Sequence, residues 1–457
     1  FYQKLLNKCG GKKMYTIKRF FDCQVPVNRC NFECDYCTVG QWRKVNGEGP
    51  KEYTEFKYPI EHMIKALSKE RLGGTCAFNL CGNGETFLHP QLLELVEALL
   101  KEGHFVSIVS NGTITKGIDY LCSLDEEMRS RIFIKFSFHY TELLKKNLLT
   151  TYFKNVNKAH KAGLSLTVEL VASDGNVPYI EDIKKVCMEN LGVLCHLTDP
   201  RANTTTDIRH LTEMPMEEHL KIWEPFHSAL FDYRQATWGK NRRENFCYGG
   251  VWSFNLGLGN GKLKQCYRNS DTVQWIFENI DEPIHYLPRG YHCSFAHCFN
   301  SHVFDCLCGV IPEIASPYYA ELRNRVLPDG TEWIQGAYKE IYNRRVCENN
   351  TEYSEEEKMF ADGIVRIWNE EETKQEFVKL FQNCIDILQE NNNIEIYGED
   401  SISNWIKKNI IIKDNKQRKL IIITDYAEIG PLKEQLAKEG NTNVISVVDL
   451  IRSKNEE

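Results

Sequence analysis

An α/β fold is predicted for most of this chain by its hydrophobic periodicity, its size and the placement of its cysteines. Between about residues 20 and 200, short β-branched and aromatic runs alternate with longer stretches whose apolar side chains recur every three or four residues. With 457 residues, 42% of them hydrophobic, the chain can bury two or three cores, which excludes intrinsic disorder and low-complexity classes. Of its 18 cysteines, three lie within Cys30–Cys37 and six within residues 247–308. A chain this long needs no disulfides to compensate for a small core, so the spacing points to metal or thiol chemistry carried by the fold.

The strand candidates, in order, are Phe20–Val27, Thr75–Leu80, Phe105–Val109, Ile132–Phe138, Leu164–Val171 and Val193–Leu197. Between them lie the helical stretches Ile60–Glu70, Pro90–Glu102, Glu142–Ala162 and Ile180–Asn190. Repeated strand, helix, strand units of this length imply parallel strands joined by right-handed crossovers. Six units curl such a sheet into a partial (β/α)6 TIM-like barrel over residues 1–204, with functional residues expected at the carboxyl ends of the strands. Residues 205–246 read as a helical connection, clearest at Glu213–Phe226. Residues 247–315 read as a small Cys-rich module, with Gly257, Gly259 and Gly261 in its turns.

A helical region is expected over 316–390, where Glu355–Glu357 and Glu370–Glu372 are solvated faces. The tail, 391–457, alternates Ile394–Tyr397, a helix, Leu420–Thr424, a helix over Pro431–Lys438, and Val444–Val448, a small Rossmann-like α/β unit. Its turn Tyr397-Gly398-Glu399-Asp400 has one glycine and two acids that would repel a phosphate, so a structural or partner-binding role is expected.

Lys plus Arg total 56 against 63 Asp plus Glu, a net charge of −7, which excludes a strong pull toward nucleic acid or anionic lipid. No apolar run approaches the roughly 20 residues of a membrane span, and no secretory signal opens the chain, so a cytoplasmic location is expected.

The chemistry begins directly after the first strand, at Cys30-Asn-Phe-Glu-Cys34-Asp-Tyr-Cys37. A structural zinc site prefers four closed ligands, whereas three thiolates on a [4Fe–4S] cluster leave one iron open. The Cys-x3-Cys-x2-Cys spacing, with an aromatic before the third Cys, closely resembles the signature of radical S-adenosylmethionine (SAM) enzymes. Three later segments fall where a barrel has its loops: Cys81-Gly82-Asn83-Gly84-Glu85 after the second strand, Ser110-Asn111-Gly112-Thr113 after the third, and Ser137-Phe138-His139 after the fourth. The resemblance implies that Cys30, Cys34 and Cys37 hold the cluster. It further implies that Gly82, Asn83, Gly84 and Glu85 take the SAM amino group, that Ser110, Asn111 and Ser137 contact its ribose and carboxylate, and that Tyr36 flanks the cluster and the adenine.

A second group opens with Cys247 and a hairpin, Trp252–Leu256 and Lys262–Cys266 around the turn Asn260-Gly261. It resembles the start of the SPASM and twitch modules, which hold auxiliary [4Fe–4S] clusters. That resemblance implies one auxiliary cluster on Cys247, Cys266, Cys293 and Cys298, with His292, His297 and His302 interleaved. Cys293-Ser-Phe-Ala-His-Cys298 departs from the usual two-residue gap. If Cys306-Leu-Cys308 is extended, its two thiols share a face, and a second auxiliary cluster with Cys347 stays open. Cys9, Cys23, Cys76, Cys122, Cys187 and Cys384 read as buried small hydrophobes. Cys81 and Cys195, near strand ends, are candidate hydrogen donors to a substrate radical.

The function these features imply is reductive cleavage of SAM to a 5′-deoxyadenosyl radical that abstracts hydrogen from a small polar metabolite or sugar derivative. Dehydrogenation, epimerisation or rearrangement would follow, with the auxiliary cluster handling electrons and flavodoxin or ferredoxin as donor. Cys298 to Trp333 also resembles radical SAM proteins of bacterial surface-polysaccharide clusters. The alternative is a maturase acting on a precursor peptide or protein. Such enzymes often carry a leader-binding domain before the barrel, and only about 20 residues precede the first strand here. A non-catalytic iron–sulfur or zinc protein would leave Gly82–Glu85 unexplained.

Overall fold

The structure, a computed structural model, describes residues 15–46, 53–202, 209–240, 242, 244–266, 273–291, 293, 295, 297–355, 357, 358, 361, 388, 393–398, 401–410, 419–424, 429–441 and 443–446. Six parallel strands form where the periodicity puts them: β1 (Arg19–Val25), β2 (Cys76–Gly82), β3 (Phe105–Ser110), β4 (Ile132–Ser137), β5 (Ser165–Val171) and β6 (His196–Thr198). Each pairs in register with the next, and the described strands form an open sheet that does not close on itself.

The alternation of side chains along the strands sorts them into two cores. Phe21, Cys23, Phe78, Leu80, Val106, Ile108, Ile134 and Leu166 face outward and pack against the covering helices. On the inner face, Phe20, Ala77, Phe105 and Phe133, near the amino ends of β1 to β4, meet a second core that includes Tyr319, Tyr338 and Tyr342. Residues from the short helices Tyr319–Arg323 and Gly336–Tyr342 therefore plug the lower half of the barrel. Further toward the carboxyl ends, the inward positions Gln24, Cys81, Val109, Ser137 and Val171 are partly or fully exposed, so the lumen is open at that end.

The Cys-rich segment is no separate layer. Its strand β7 (Ser253–Gly257) adds in parallel to the free edge of β1, from Phe20 opposite Ser253 to Gln24 opposite Gly257. β8 (Lys262–Lys264) and β9 (Val273–Trp275) then continue the same sheet antiparallel. The expected hairpin is present, turned at Gly261 with φ +80°.

Several expected elements are shorter or differently placed. Ile60–Glu70 breaks into Ile60–Ala66 and Lys69–Leu72, the second capped by Ser68. Glu142–Ala162 becomes Tyr140–Lys145 and Leu149–Lys161, interrupted at Asn147 with φ +56°. The sixth strand begins at His196 rather than at residue 193. Cys306-Leu-Cys308 is not extended: Phe304–Cys308 is one π-helical turn ended by Gly309, and both thiols lie in the inner core. In the tail, β10 (Ile394–Tyr397), β11 (Leu420–Ile423) and β12 (Val444–Ser446) form a parallel three-stranded sheet, as expected. Most of 359–392, with Glu370–Glu372 and Cys384, lies outside the described residues, as do Cys9, His292, Glu399 and Asp400. Among the described residues, no helix is long and apolar enough to cross a membrane.

Candidate active site

β1 delivers the chain to the carboxyl end of the sheet, where the loop carrying Cys30, Cys34 and Cys37 crosses its neighbours. The loop is internally ordered: the Cys37 N–H donates to the Cys34 carbonyl (3.1 Å), and the Gln41 N–H to the Cys37 carbonyl (2.8 Å). Two of the sulfurs accept backbone hydrogen bonds. The Phe32 N–H donates to Cys30 Sγ and the Gly40 N–H to Cys37 Sγ, each at 3.4 Å.

Two loops brace this segment. At the end of β2, the Glu85 N–H donates to the Arg29 carbonyl (2.9 Å). A Cβ on Gly84 would sit 2.0 Å from that carbonyl, and one on Gly82 2.2 Å from Val27 Cγ1, so only glycine allows the two loops to lie this close. At the end of β3, the Asn111 amide donates to Asn31 Oδ1 (2.7 Å) and the Asn31 amide to Thr113 Oγ1 (3.0 Å). Backbone groups also reach across to the fourth loop, where the Glu33 N–H donates to Glu142 Oε2 (2.9 Å).

Glu85 is the centre of this bracing. Its carboxylate is buried and accepts from the Ser110 hydroxyl (2.7 Å), the Asn111 N–H (2.7 Å) and the Phe87 N–H (3.1 Å). Burial pushes its pKa up, and these three donors oppose the rise. Three of about four acceptor sites are thus occupied within the chain, which leaves about one for a ligand. Ser110 and Asn111 are likewise buried and engaged inside this network. Gly82, Gly84 and Asn83 keep their backbone at the loop surface, with the Asn83 amide donating to Asn28 (3.3 Å). Ser137 is half-buried at the inward end of β4. Tyr36 is buried, and its hydroxyl meets His139 Nδ1 at 2.9 Å. Burial brings the His139 pKa down to about 4, so the imidazole is neutral near pH 7 and shares one hydrogen bond with the phenol.

The donor set suits a thiolate-held iron–sulfur group. Burial raises the Cys30 pKa to about 11 and pushes Cys34 higher still, and the neighbouring Cys37 adds to both rises. Such thiols give up their protons to a metal centre rather than to water. Among the described residues, no three Cys, His, Asp or Glu side chains converge as a single metal ion requires. The N–H groups aimed at Cys30 and Cys37 fit thiolates that carry negative charge in a metal centre.

The second cysteine set lies around one hairpin and its neighbouring loop. The Gly249 N–H donates to Cys247 Sγ (3.4 Å), and a Cβ on Gly249 would lie 3.4 Å from that sulfur and 3.8 Å from Cys266 Cβ. Burial raises the Cys298 pKa, and Cys247, Cys293 and Cys266 all push it further, so the four expected ligands share one neighbourhood. Cys306 and Cys308 do not join them; they are fully buried among Phe304, Leu307 and Val310, with Cys347 packed against the Gly309 turn. The divergence of their side chains follows from the helical turn, in which residues two apart do not share a face.

Of the proposed hydrogen donors, Cys81 faces the lumen beneath Glu85, with Asp22 and Lys135 also close enough to act on it. Cys195 does not face the lumen. It is fully buried in the outer core beside Cys187. Cys23, Cys76 and Cys187 are core residues as expected. His297 is buried against Trp238 and Phe299, and His302 contacts Arg234. Lys135 and Glu169, lone charges in the apolar runs IFIKFS and SLTVELV, were not expected in the lumen. A charge in a strand otherwise buried on both faces was the signal that pointed to them.

Comparison with known proteins places residues 25–185 in the radical SAM superfamily. No curated protein matches the chain significantly. Among solved structures, Streptococcus suis SuiB bound to S-adenosylmethionine is similar over 62% of this chain and 68% of its own, at 12% identity and TM-score 0.38. Native anSMEcpe with bound AdoMet is similar over 58% and 79%, at 13% identity and TM-score 0.41. Archaeal TYW1 is similar over 44% and 70%, at 18% identity and TM-score 0.27.

Proposed function

We propose, on the premise that residues 25–185 make this a radical SAM enzyme, that it abstracts a hydrogen atom from a small polar metabolite or sugar derivative held in the barrel lumen. When bound, a [4Fe–4S] cluster and SAM supply reductive cleavage of the sulfonium and a 5′-deoxyadenosyl radical strong enough for an unactivated C–H bond.

The observation that carries this reading is the bracing of the Cys30–Cys37 loop by the β2 and β3 loops at the open end of the barrel. Cys30, Cys34 and Cys37 hold the cluster, and the backbone N–H groups of Phe32 and Gly40 stabilise the negative charge on their sulfurs. The backbone of Gly82 to Gly84 offers its polar groups to the SAM amino end, while Glu85 fixes that loop from behind. Tyr36, oriented by His139, walls one side. Below, Asp22, Asn79, Lys135 and Ser137 line the lumen with polar side chains, which favours a polar substrate. Cys247, Cys266, Cys293 and Cys298 would hold one auxiliary cluster, which would supply an acceptor for the electron released from the substrate.

A peptide or protein substrate is the second reading and differs in what enters the lumen. The test is anaerobic reduction of the reconstituted enzyme with SAM. 5′-Deoxyadenosine forms with the wild type and is abolished in Cys30→Ala, Cys34→Ala and Cys37→Ala. Retained cleavage in these variants overturns the assignment.

A further inference from the structure

The lumen also holds a buried charge cluster. Lys135 of β4 lies 3.1 Å from Glu169 Oε2 of β5, and Arg323 Nε donates to Glu169 Oε1 at 2.7 Å. Glu169 is thus shared by two cations, and although burial pushes its pKa up, Arg323 and Lys135 together bring it down to about 2. The Arg323 side chain is completely buried, with its ring-stacking partner Tyr319 on one face, yet neither Nη1 nor Nη2 has a hydrogen-bond partner. Two unsatisfied guanidinium nitrogens with no access to water are costly, and native structures satisfy such groups with water, an ion or a ligand.

The neighbourhood is rich in positive charge. Arg234 Nη1 contacts His302 Nδ1 at 2.9 Å, and its Nε is held by Asp199. His302, buried and neutral, has Arg323, Arg234, Lys135 and Arg201 acting on it from four separate elements. Two carboxylates, Glu169 and Asp199, stand among the cations Lys135, Arg323 and Arg234. Asp305 is matched by Arg242, and Asp22, across the lumen from Lys135, is hydrogen-bonded by Asn79 (2.8 Å) and pushed toward its neutral form by burial. A surplus of buried positive charge is tolerated when an anion completes it. Lys135, 26% exposed, opens this cluster to the lumen beneath Cys81 and the SAM loop.

We propose that this cluster seats an anionic group of the substrate, a phosphate or a carboxylate, which enters the lumen between Lys135 and the unpaired face of the Arg323 guanidinium. The proposal rests on the radical SAM reading and adds to it the chemical class of substrate: an acidic metabolite such as a phosphorylated or carboxylated sugar. A guanidinium with two adjacent free nitrogens suits a planar or tetrahedral oxyanion, and Lys135 adds a point charge.

The test is thermal unfolding and calorimetric titration of anaerobically reconstituted wild type with inorganic phosphate, pyrophosphate, glucuronate and neutral glucose, at constant chloride. Phosphate or pyrophosphate binding marks a phosphorylated substrate and glucuronate binding a carboxylated one; either supports the proposal, while glucose does not bind. Lys135→Met weakens that binding about tenfold or more, as loss of a charged hydrogen bond requires. Lys158→Met, on the outer surface, leaves it unchanged. Arg323→Lys, tested alongside, weakens it as well, so the result does not depend on one variant folding. Equal anion binding by wild type and Lys135→Met, or no anion binding at millimolar concentrations, overturns the proposal. Because binding is read without turnover, its failure is distinct from a failure of the wild type to form 5′-deoxyadenosine, which sinks the radical SAM reading.

Discussion

Glu85→Gln separates an architectural role for Glu85 from a purely ligand-binding one. The buried carboxylate accepts three hydrogen bonds, from Ser110, Asn111 and Phe87. An amide keeps one oxygen and turns an NH2 toward the donors of the other. If the oxygen stays with Ser110 and Phe87, the Asn111 N–H at 2.7 Å meets a donor. Loss of one bond to a charged acceptor costs about 1.5–3 kcal/mol, and the stranded N–H about 1–3 kcal/mol. Removing a buried charge whose pKa burial has raised returns part of this. The net expectation is a loss of about 2–4 kcal/mol. Urea unfolding of wild type and variant, both without cofactors and under reducing conditions, measures it directly. The variant should also retain less iron, because Asn111 loses its hold on Asn31 beside Cys30. Unchanged stability with weakened SAM affinity would refute the reasoning and return Glu85 to the role of an ammonium ligand.

Burial brings the His104 pKa down to about 4, and the ring is held neutral between the Cys76 N–H and the Leu67 carbonyl. The unfolded chain takes up the proton below about pH 6.5 and the folded one does not, so stability is complete above that pH and falls by about 3 kcal/mol as pH drops to about 4. His104→Gln flattens that part of the stability profile. Glu169, whose pKa the paired cations hold at about 2, loses its contribution in the same direction but at lower pH. Its contribution is complete above about pH 4.3 and is lost only as pH falls through about 2. Glu169→Gln therefore destabilises by about 3–5 kcal/mol at pH 7 and by nearly as much at pH 5, measured by chemical denaturation. Cys308→Ala keeps the full iron content and loses about 1 kcal/mol of stability, since the thiol is a packing group. Loss of iron in that variant marks a further cluster instead.

The sheet was legible because period-two burial and apolar runs leave little freedom: β1 to β5 start and end within two residues of the sequence pattern. β6 was misplaced because Val193 and Leu194 pack without pairing, and hydrophobicity alone does not distinguish the two. The three-cysteine motif and its glycine loop were equally legible, because short-range spacing sets both the thiol loop and the close approach of Gly84 to Arg29. What local sequence could not show was long-range placement. That β7 would add to the edge of β1, that Arg323 would reach Glu169, and that Cys195 would turn outward all depend on residues more than 100 positions apart or on a strand's phase. The shared face of Cys306 and Cys308 was conditional on an extended backbone, and the chain there turns helically.

Iron and acid-labile sulfide in the anaerobically reconstituted wild type and in the Cys30→Ala/Cys34→Ala/Cys37→Ala variant test the division of the cysteines most directly. The account predicts about eight irons per chain in the wild type and about four in the variant, the remainder held by Cys247, Cys266, Cys293 and Cys298. About four irons in the wild type, or a variant that keeps all of them, would contradict it.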